Sequence, residues 1–171
     1  MVHGSVQMHG GVFEVESESG LGTSCHIYLP LNPEKDEKEA DPERYGPVQG
    51  QGETILLVDD KQELLDTSSQ VLESLNYTVL KASDGEQALK IFKSEYDAIS
   101  LVFTDVVMPN MGGFALMKTI WQDHAQLPAL FATGYDATSS EIPKEMEKQA
   151  VLISKPYSVT EISRYLRLLL D

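Results

Sequence analysis

Five side chains hold the chemistry this sequence offers: Asp59, Asp60, Asp105, Thr133 and Lys155. Each set follows a short apolar run. Asp59-Asp60 follows Thr54-Ile55-Leu56-Leu57-Val58, and Asp105 follows Ser100-Leu101-Val102-Phe103-Thr104. Thr133 follows Ala129-Leu130-Phe131-Ala132, and Lys155 follows Val151-Leu152-Ile153-Ser154. Three carboxylates brought together repel. Two unit charges about 4 Å apart cost on the order of 4 kcal/mol at an effective dielectric of about 20. Either one carboxyl group keeps its proton or a cation is bound. All-oxygen donors favour a hard ion such as Mg²⁺, with Mn²⁺ as the substitute, because it keeps several waters and leaves room for a phosphoryl oxygen. Asp105 is then placed to attack phosphorus as an oxygen nucleophile. The Thr133 hydroxyl can donate to one phosphoryl oxygen, and the Lys155 ammonium can neutralise another. The chemistry implied is in-line phosphoryl transfer, governed by positioning and charge compensation.

Taken singly, each feature has a plainer reading. An Asp-Asp after a strand is usually a helix cap or turn, a Thr-Gly a turn, a Lys-Pro a loop. The joint pattern differs, because the order Asp-Asp, Asp, Thr, Lys-Pro tracks the ends of successive strands.

The elements that must position them fill the segment from Thr54 to Asp171. Strands alternate with helices whose apolar residues recur at helical spacing: Leu64, Leu65, Val71, Leu72 and Leu75; Ala88, Leu89, Ile91 and Phe92; Phe114, Leu116, Met117 and Ile120; and Ile162, Tyr165, Leu166, Leu169 and Leu170. Ser83 or Asp84 caps the second helix, and Ser158 with Glu161 forms a capping box for the last. A weaker helix has Pro143 near its first turn. Five β-α units with apolar strands predict an α/β, doubly wound fold. One five-stranded parallel sheet carries helices on both faces, with right-handed crossovers and strand order 2-1-3-4-5. That order opens a crevice at the C-terminal ends of the first and third strands.

Two shorter segments precede it. Residues 1–30 read as a short helix stopped by Gly10-Gly11, then strands over Val12–Ser17 and Thr23–Pro30 about a Ser19-Gly20-Leu21-Gly22 turn. A helix and a hairpin bury too little to fold alone, so this reads as the tail of something larger or an element docked on its neighbour. Residues 31–53 are acidic, with scarce apolar side chains and no periodicity, and read as a mobile tether.

The 171 residues carry a formal net charge of −14, which argues against nucleic acid as a partner. Cys25 is the only cysteine, so no intrachain disulfide can form, and a reducing, cytoplasmic setting is expected. No apolar run reaches the length needed to cross a bilayer, so no membrane contact by this chain is expected. His3, His9, His26 and His124 lack metal-site spacing and read as ordinary histidines. Trp121 reads as partly buried packing, Cys25 as an inert strand residue, and Tyr157 as packing beside the site.

With these residues in view, the segment resembles the receiver domain of two-component response regulators. The matching motifs are Leu57-Val58-Asp59-Asp60, Thr104-Asp105-Val106-Val107-Met108-Pro109, Met111-Gly112-Gly113, Ala132-Thr133-Gly134 and Ser154-Lys155-Pro156-Tyr157. The resemblance implies a flavodoxin-like fold with Asp105 as phosphoacceptor. It implies Mg²⁺ bound by Asp60, Asp105 and the backbone carbonyl of Val107, with Asp59 assisting through water, and a cis Lys155–Pro156 bond. Val107 and Tyr135 are expected to flank the phosphoryl group, and Tyr135 to slow its hydrolysis. Many relatives carry an aromatic residue three positions before the lysine. Leu152 stands there, so the usual threonine–aromatic coupling is not expected.

The first segment, with Met1-Val2-His3-Gly4, Gly10-Gly11, Glu18-Ser19-Gly20-Leu21-Gly22-Thr23 and Ile27-Tyr28-Leu29-Pro30, resembles the end of a histidine-kinase ATP-binding domain. The family's nucleotide-binding asparagine and most of its glycine-rich lid would lie upstream, so affinity for ATP no better than millimolar is expected. The parent implied is a hybrid sensor kinase of which this chain is a fragment, with no output domain after the last helix and no complete kinase core. The partners implied are a histidine kinase or a histidine phosphotransfer protein. The signalling face implied is the fourth helix, fifth strand and fifth helix of the receiver, which could also mediate a homodimer. The alternatives are a docking module that works without phosphorylation, or a metal-dependent phosphate-ester hydrolase.

Overall fold

The structure is a computed structural model that describes residues 6–7, 10–18, 20, 22–30, 46–134, 142–143 and 148–171. The chain forms two units, Met1–Asp41 and Pro42–Asp171.

In the first unit, β1 (Val12–Glu18) pairs antiparallel with β2 (Gly22–Tyr28), with Val12 opposite Tyr28 and Glu18 opposite Gly22. The Gly11 N–H donates to Val6 O at 2.9 Å and Gly10 adopts φ +67°, the left-handed stop expected of the glycine pair. His3 and His9 lie outside the described residues. Cys25 sits on β2 and is exposed.

In the second unit the elements run β3 (Thr54–Val58), α1 (Gln62–Ser74), β4 (Thr78–Ala82), α2 (Gly85–Glu95), β5 (Ile99–Asp105), α3 (Gly113–Ile120), β6 (Ala129–Thr133), β7 (Ala150–Ser154) and α4 (Val159–Leu170). All pairings are parallel, in the order β4-β3-β5-β6-β7. This is the predicted 2-1-3-4-5 sheet. The predicted helix around Pro143 lies mostly outside the described residues.

The sheet buries both faces because its central strands are apolar on both sides through their middle positions. On one face Leu56, Val58, Val102 and Phe131 meet Ala88 and Phe92 of α2 and Leu116 and Met117 of α3. On the other, Ile55, Leu57, Leu101, Phe103 and Leu130 meet Leu65 and Leu72 of α1 and Ile162 and Leu166 of α4. Each such side chain contributes roughly 1.5–3 kcal/mol by leaving water. Leu64, expected on the core side of its helix, is 39% exposed, and Tyr165 is likewise at the surface. Helical spacing places a residue on a face but does not say how far the sheet extends under it.

The caps follow the sequence. Asp84 accepts from the Gln87 N–H at 2.7 Å, and Ser158 and Glu161 form the reciprocal capping box. Trp121 is partly buried and donates from Nε1 to Leu127 O at 2.7 Å.

The segment entering β3 departs from the tether reading. Residues 46–53 lie on the second unit. The Val48 N–H donates to Ser163 Oγ at 2.9 Å, Gly50 N–H to Leu75 O at 2.7 Å, and Gly52 N–H to Asn76 O at 3.0 Å. Asn76 Nδ2 returns a bond to Gly50 O at 2.8 Å. A Cβ on Gly50 would lie 2.5 Å from the Tyr77 ring, so only glycine lets the backbone pass. Glu53 pairs with the buried Arg167, which also holds Asp171. Backbone hydrogen bonds and one ion pair hold this stretch, and neither leaves a hydrophobic pattern.

Candidate functional site

The five residues flagged by the sequence meet at one edge of the sheet. Backbone bonds beyond the strand ends fix their carriers. Asp59 N–H donates to Ala82 O at 3.2 Å, Val106 N–H to Ala132 O at 2.9 Å, and Lys155 N–H to Thr133 O at 2.7 Å. Each loop is thereby anchored to the neighbouring strand before it leaves the sheet.

Oxygens of Asp59, Asp60 and Asp105 lie within 4.8 Å of one another. Asp59 and Asp105 are buried, and Asp60 is exposed. Lys155 Nζ donates to Asp105 Oδ2 at 2.6 Å and to Asp59 Oδ2 at 2.8 Å. The remaining oxygens are oriented by the backbone. Asp59 Oδ1 accepts from the Lys61 N–H at 2.9 Å, and Asp105 Oδ1 from the Val107 N–H at 3.1 Å. One Asp59 oxygen thus holds the turn and the other the Lys155 ammonium. Burial alone would lower the Lys155 pKa, but its hydrogen bonds to Asp105 and Asp59 hold it above the ordinary lysine value.

One ammonium faces three carboxylates, so negative charge is left over at the cluster. The donors are hard oxygens from two adjacent strand ends, and they fit a hard divalent cation. Val107 follows β5 with its side chain 65% exposed, and its N–H is the atom that touches Asp105. Thr133 is buried at the end of β6, with its hydroxyl only 3.5 Å from Gly134 O, a weak bond that leaves it free to turn toward a ligand.

Two glycines the sequence reading quoted without a role prove necessary. A Cβ on Gly113 would lie 2.5 Å from Asp105 O, and one on Gly112 would lie 2.5 Å from Val106 O. The start of α3 thus packs directly on the backbone that presents Asp105. A Gly-Gly pair preceding an apolar helix was the only sequence signal for this.

The Lys155–Pro156 peptide bond is cis, as the resemblance implies. Tyr157 is partly buried and stacks at a tilt on Phe103 with centroids 6.0 Å apart. Leu152 is partly buried against the core that holds Phe131. Tyr135 lies outside the described residues. His124 packs edge-on to Phe92 at 5.0 Å, far from any cluster of metal ligands among the described residues.

The chain is similar in sequence and fold to known proteins. Over 181 aligned residues the whole chain is 29% identical to Sensor kinase CckA of Brucella abortus (strain 2308). It spans 19% of that protein, and under a fifth of the other curated relatives it matches first. A crystal structure of a response regulator receiver domain protein from Clostridium thermocellum matches with a TM-score of 0.64 at 25% identity, over 69% of this chain and 94% of that one. The receiver domain of the hybrid histidine kinase CckA matches with a TM-score of 0.58 at 25% identity, over 69% of this chain and 99% of that one. The response regulator receiver domain family matches residues 55–167. With its parallel sheet and its Asp-Asp, Asp, Thr, Lys edge, this chain belongs to the response regulator receiver domain family of two-component signalling.

Proposed function

We propose that Asp105 accepts a phosphoryl group from a phosphohistidine on a histidine kinase or histidine phosphotransfer protein. The observation that carries this is the Lys155 bridge from Asp105 to Asp59, which holds the acceptor carboxylate at the open edge of the sheet. An Asp105 carboxylate oxygen forms the new bond to phosphorus. The P–N bond breaks, and the imidazole nitrogen keeps its electron pair. Lys155 transfers its hydrogen bond from Oδ2 to a phosphoryl oxygen, and the Thr133 hydroxyl turns from Gly134 to another. Mg²⁺, or Mn²⁺ in its place, would be held by Asp60, Asp105 and the Val107 carbonyl, with Asp59 through water, and would screen the excess negative charge.

Residues 1–30 are read as the end of a kinase ATP-binding domain, residues 31–53 as the connection, and residues 54–171 as the receiver, in a hybrid sensor kinase of the cytoplasm. The similarity of the whole chain, both units included, to a sensor kinase supports that reading. The phosphoryl group is read by a partner or relayed, at a face that includes β7 and α4 and could also pair two copies.

The test is phosphorylation by acetyl phosphate with Mg²⁺, followed by intact mass. One adduct in wild type and none in Asp105→Asn is expected. No adduct in wild type would leave only a docking module, and sustained turnover of phosphate esters would point to a hydrolase.

A further inference from the structure

A cavity of about 600 Å³ opens between α1 and α4, beside the phosphoacceptor edge. Its size falls in the range of small-molecule sites. Leu64 and Val71 line one wall and Val159 and Ile162 the other, with Tyr157 at the end nearest the sheet. Leu64 and Val159, 39% and 41% exposed, are left partly in water by this cavity. That is the physical reason Leu64 misses the core.

The charged residues described in the cavity wall are of one sign. In a chain of net charge −14, the only charged lining residues among the described ones are Lys61 and Lys155. Lys155 is engaged by Asp59 and Asp105. No bond is formed by the Lys61 ammonium among the described residues. The Thr67 hydroxyl is directed to Glu63 O at 2.8 Å, so it presents no free donor to the cavity. An apolar slot lined by an unpaired cation, with no carboxylate among the described lining residues, suits one ligand class.

We propose that this cavity binds a small amphipathic anion, an aliphatic carboxylate whose chain lies between Leu64, Val71 and Ile162 and whose head pairs with Lys61. The body of such a ligand also packs on Pro156 and Gly134, the residues next to Lys155 and Thr133. The inference stands on the cavity and its charge, and it survives if Asp105 takes no phosphoryl group.

The experiment titrates the full chain with decanoate, and separately with decyltrimethylammonium, by amide NMR. Decanoate should give saturable shifts centred on Leu64, Val71 and Ile162, and the cation of equal chain length should not. Lys61→Glu, a surface change that should leave the fold intact, should weaken decanoate about fivefold, the scale of one exposed ion pair. Val71→Phe, which fills the slot, should abolish saturation, with thermal unfolding confirming that the variant folds. Equal binding of both amphiphiles, unchanged affinity in Lys61→Glu, or shifts centred elsewhere would overturn the proposal. No saturable binding, with the face protected by a histidine phosphotransfer protein instead, would also overturn it and assign the slot to a protein partner.

Discussion

The Lys155 ammonium lies 2.6 Å from Asp105 Oδ2 and 2.8 Å from Asp59 Oδ2, so one cation from the end of β7 joins the ends of β5 and β3. Removing it in Lys155→Met leaves two buried carboxylates without their counter-charge. We expect a loss of about 2 kcal/mol or more in metal-free buffer, the scale of charged hydrogen bonds. Added Mg²⁺ should recover part of it. Urea unfolding with and without Mg²⁺ checks both, and phosphorylation by acetyl phosphate should fall even where stability is restored.

The same bridge sets an alkaline limit. The folded Lys155 pKa lies above its unfolded value, because its bonds to Asp105 and Asp59 outweigh burial, which would lower it. Its stabilising contribution is therefore complete below the ordinary lysine range and is lost as pH rises through the folded value. Tyr157 acts in the same direction: burial raises its pKa, so the unfolded chain ionises first and stability falls as pH rises. Urea midpoints measured from neutral pH to beyond the lysine range should decline, less steeply in Lys155→Met and in Tyr157→Phe. A flat wild-type profile would contradict this.

Gly113→Ala places a methyl 2.5 Å from the carbonyl of Asp105 and 2.8 Å from Thr104 Cγ2. Backbone must move, at a cost of roughly 1–3 kcal/mol. The expected result is a lower thermal midpoint together with a slower phosphorylation rate, because the displaced atoms present Asp105. A variant with lowered stability but an unchanged rate would show that the loop yields away from the site.

Arg167→Leu removes the cation shared by Glu53 and Asp171 and leaves the Glu53 carboxylate without its ion-pair partner. About 1–3 kcal/mol of stability should be lost. Faster amide hydrogen exchange should appear at Val48, Gly50 and Gly52, whose N–H bonds hold the entry segment against Ser163, Leu75 and Asn76. Unchanged exchange there would mean the segment is held by its backbone bonds alone.

Sequence alone determined the fold class and which residues come together at the sheet edge. Consecutive apolar residues such as Ile55-Leu56-Leu57-Val58 and Leu101-Val102-Phe103 require burial on both faces of a strand, and the alternation of strand and helix then leaves few topologies. The acidic, hydroxyl and ammonium residues were visible because each lies at or just past the end of an apolar run, and parallel strands share one C-terminal edge. The capping box of Ser158 was equally plain, since a cap acts within one turn, while the choice between Ser83 and Asp84 fell to Asp84 only in the structure.

Tertiary structure decided what depends on distance between elements far apart in the chain. The docking of residues 46–53 joins positions more than a hundred residues apart, as Val48 does with Ser163 and Glu53 with Arg167, through polar atoms that leave no periodic trace. The division of labour between the oxygens of Asp59 and of Asp105, the close passage of Gly112 and Gly113 over β5, and the cavity that exposes Leu64 follow from the same cause. A side chain's partners are set by how the layers close on one another, and local pattern specifies only which face each residue brings to that closure.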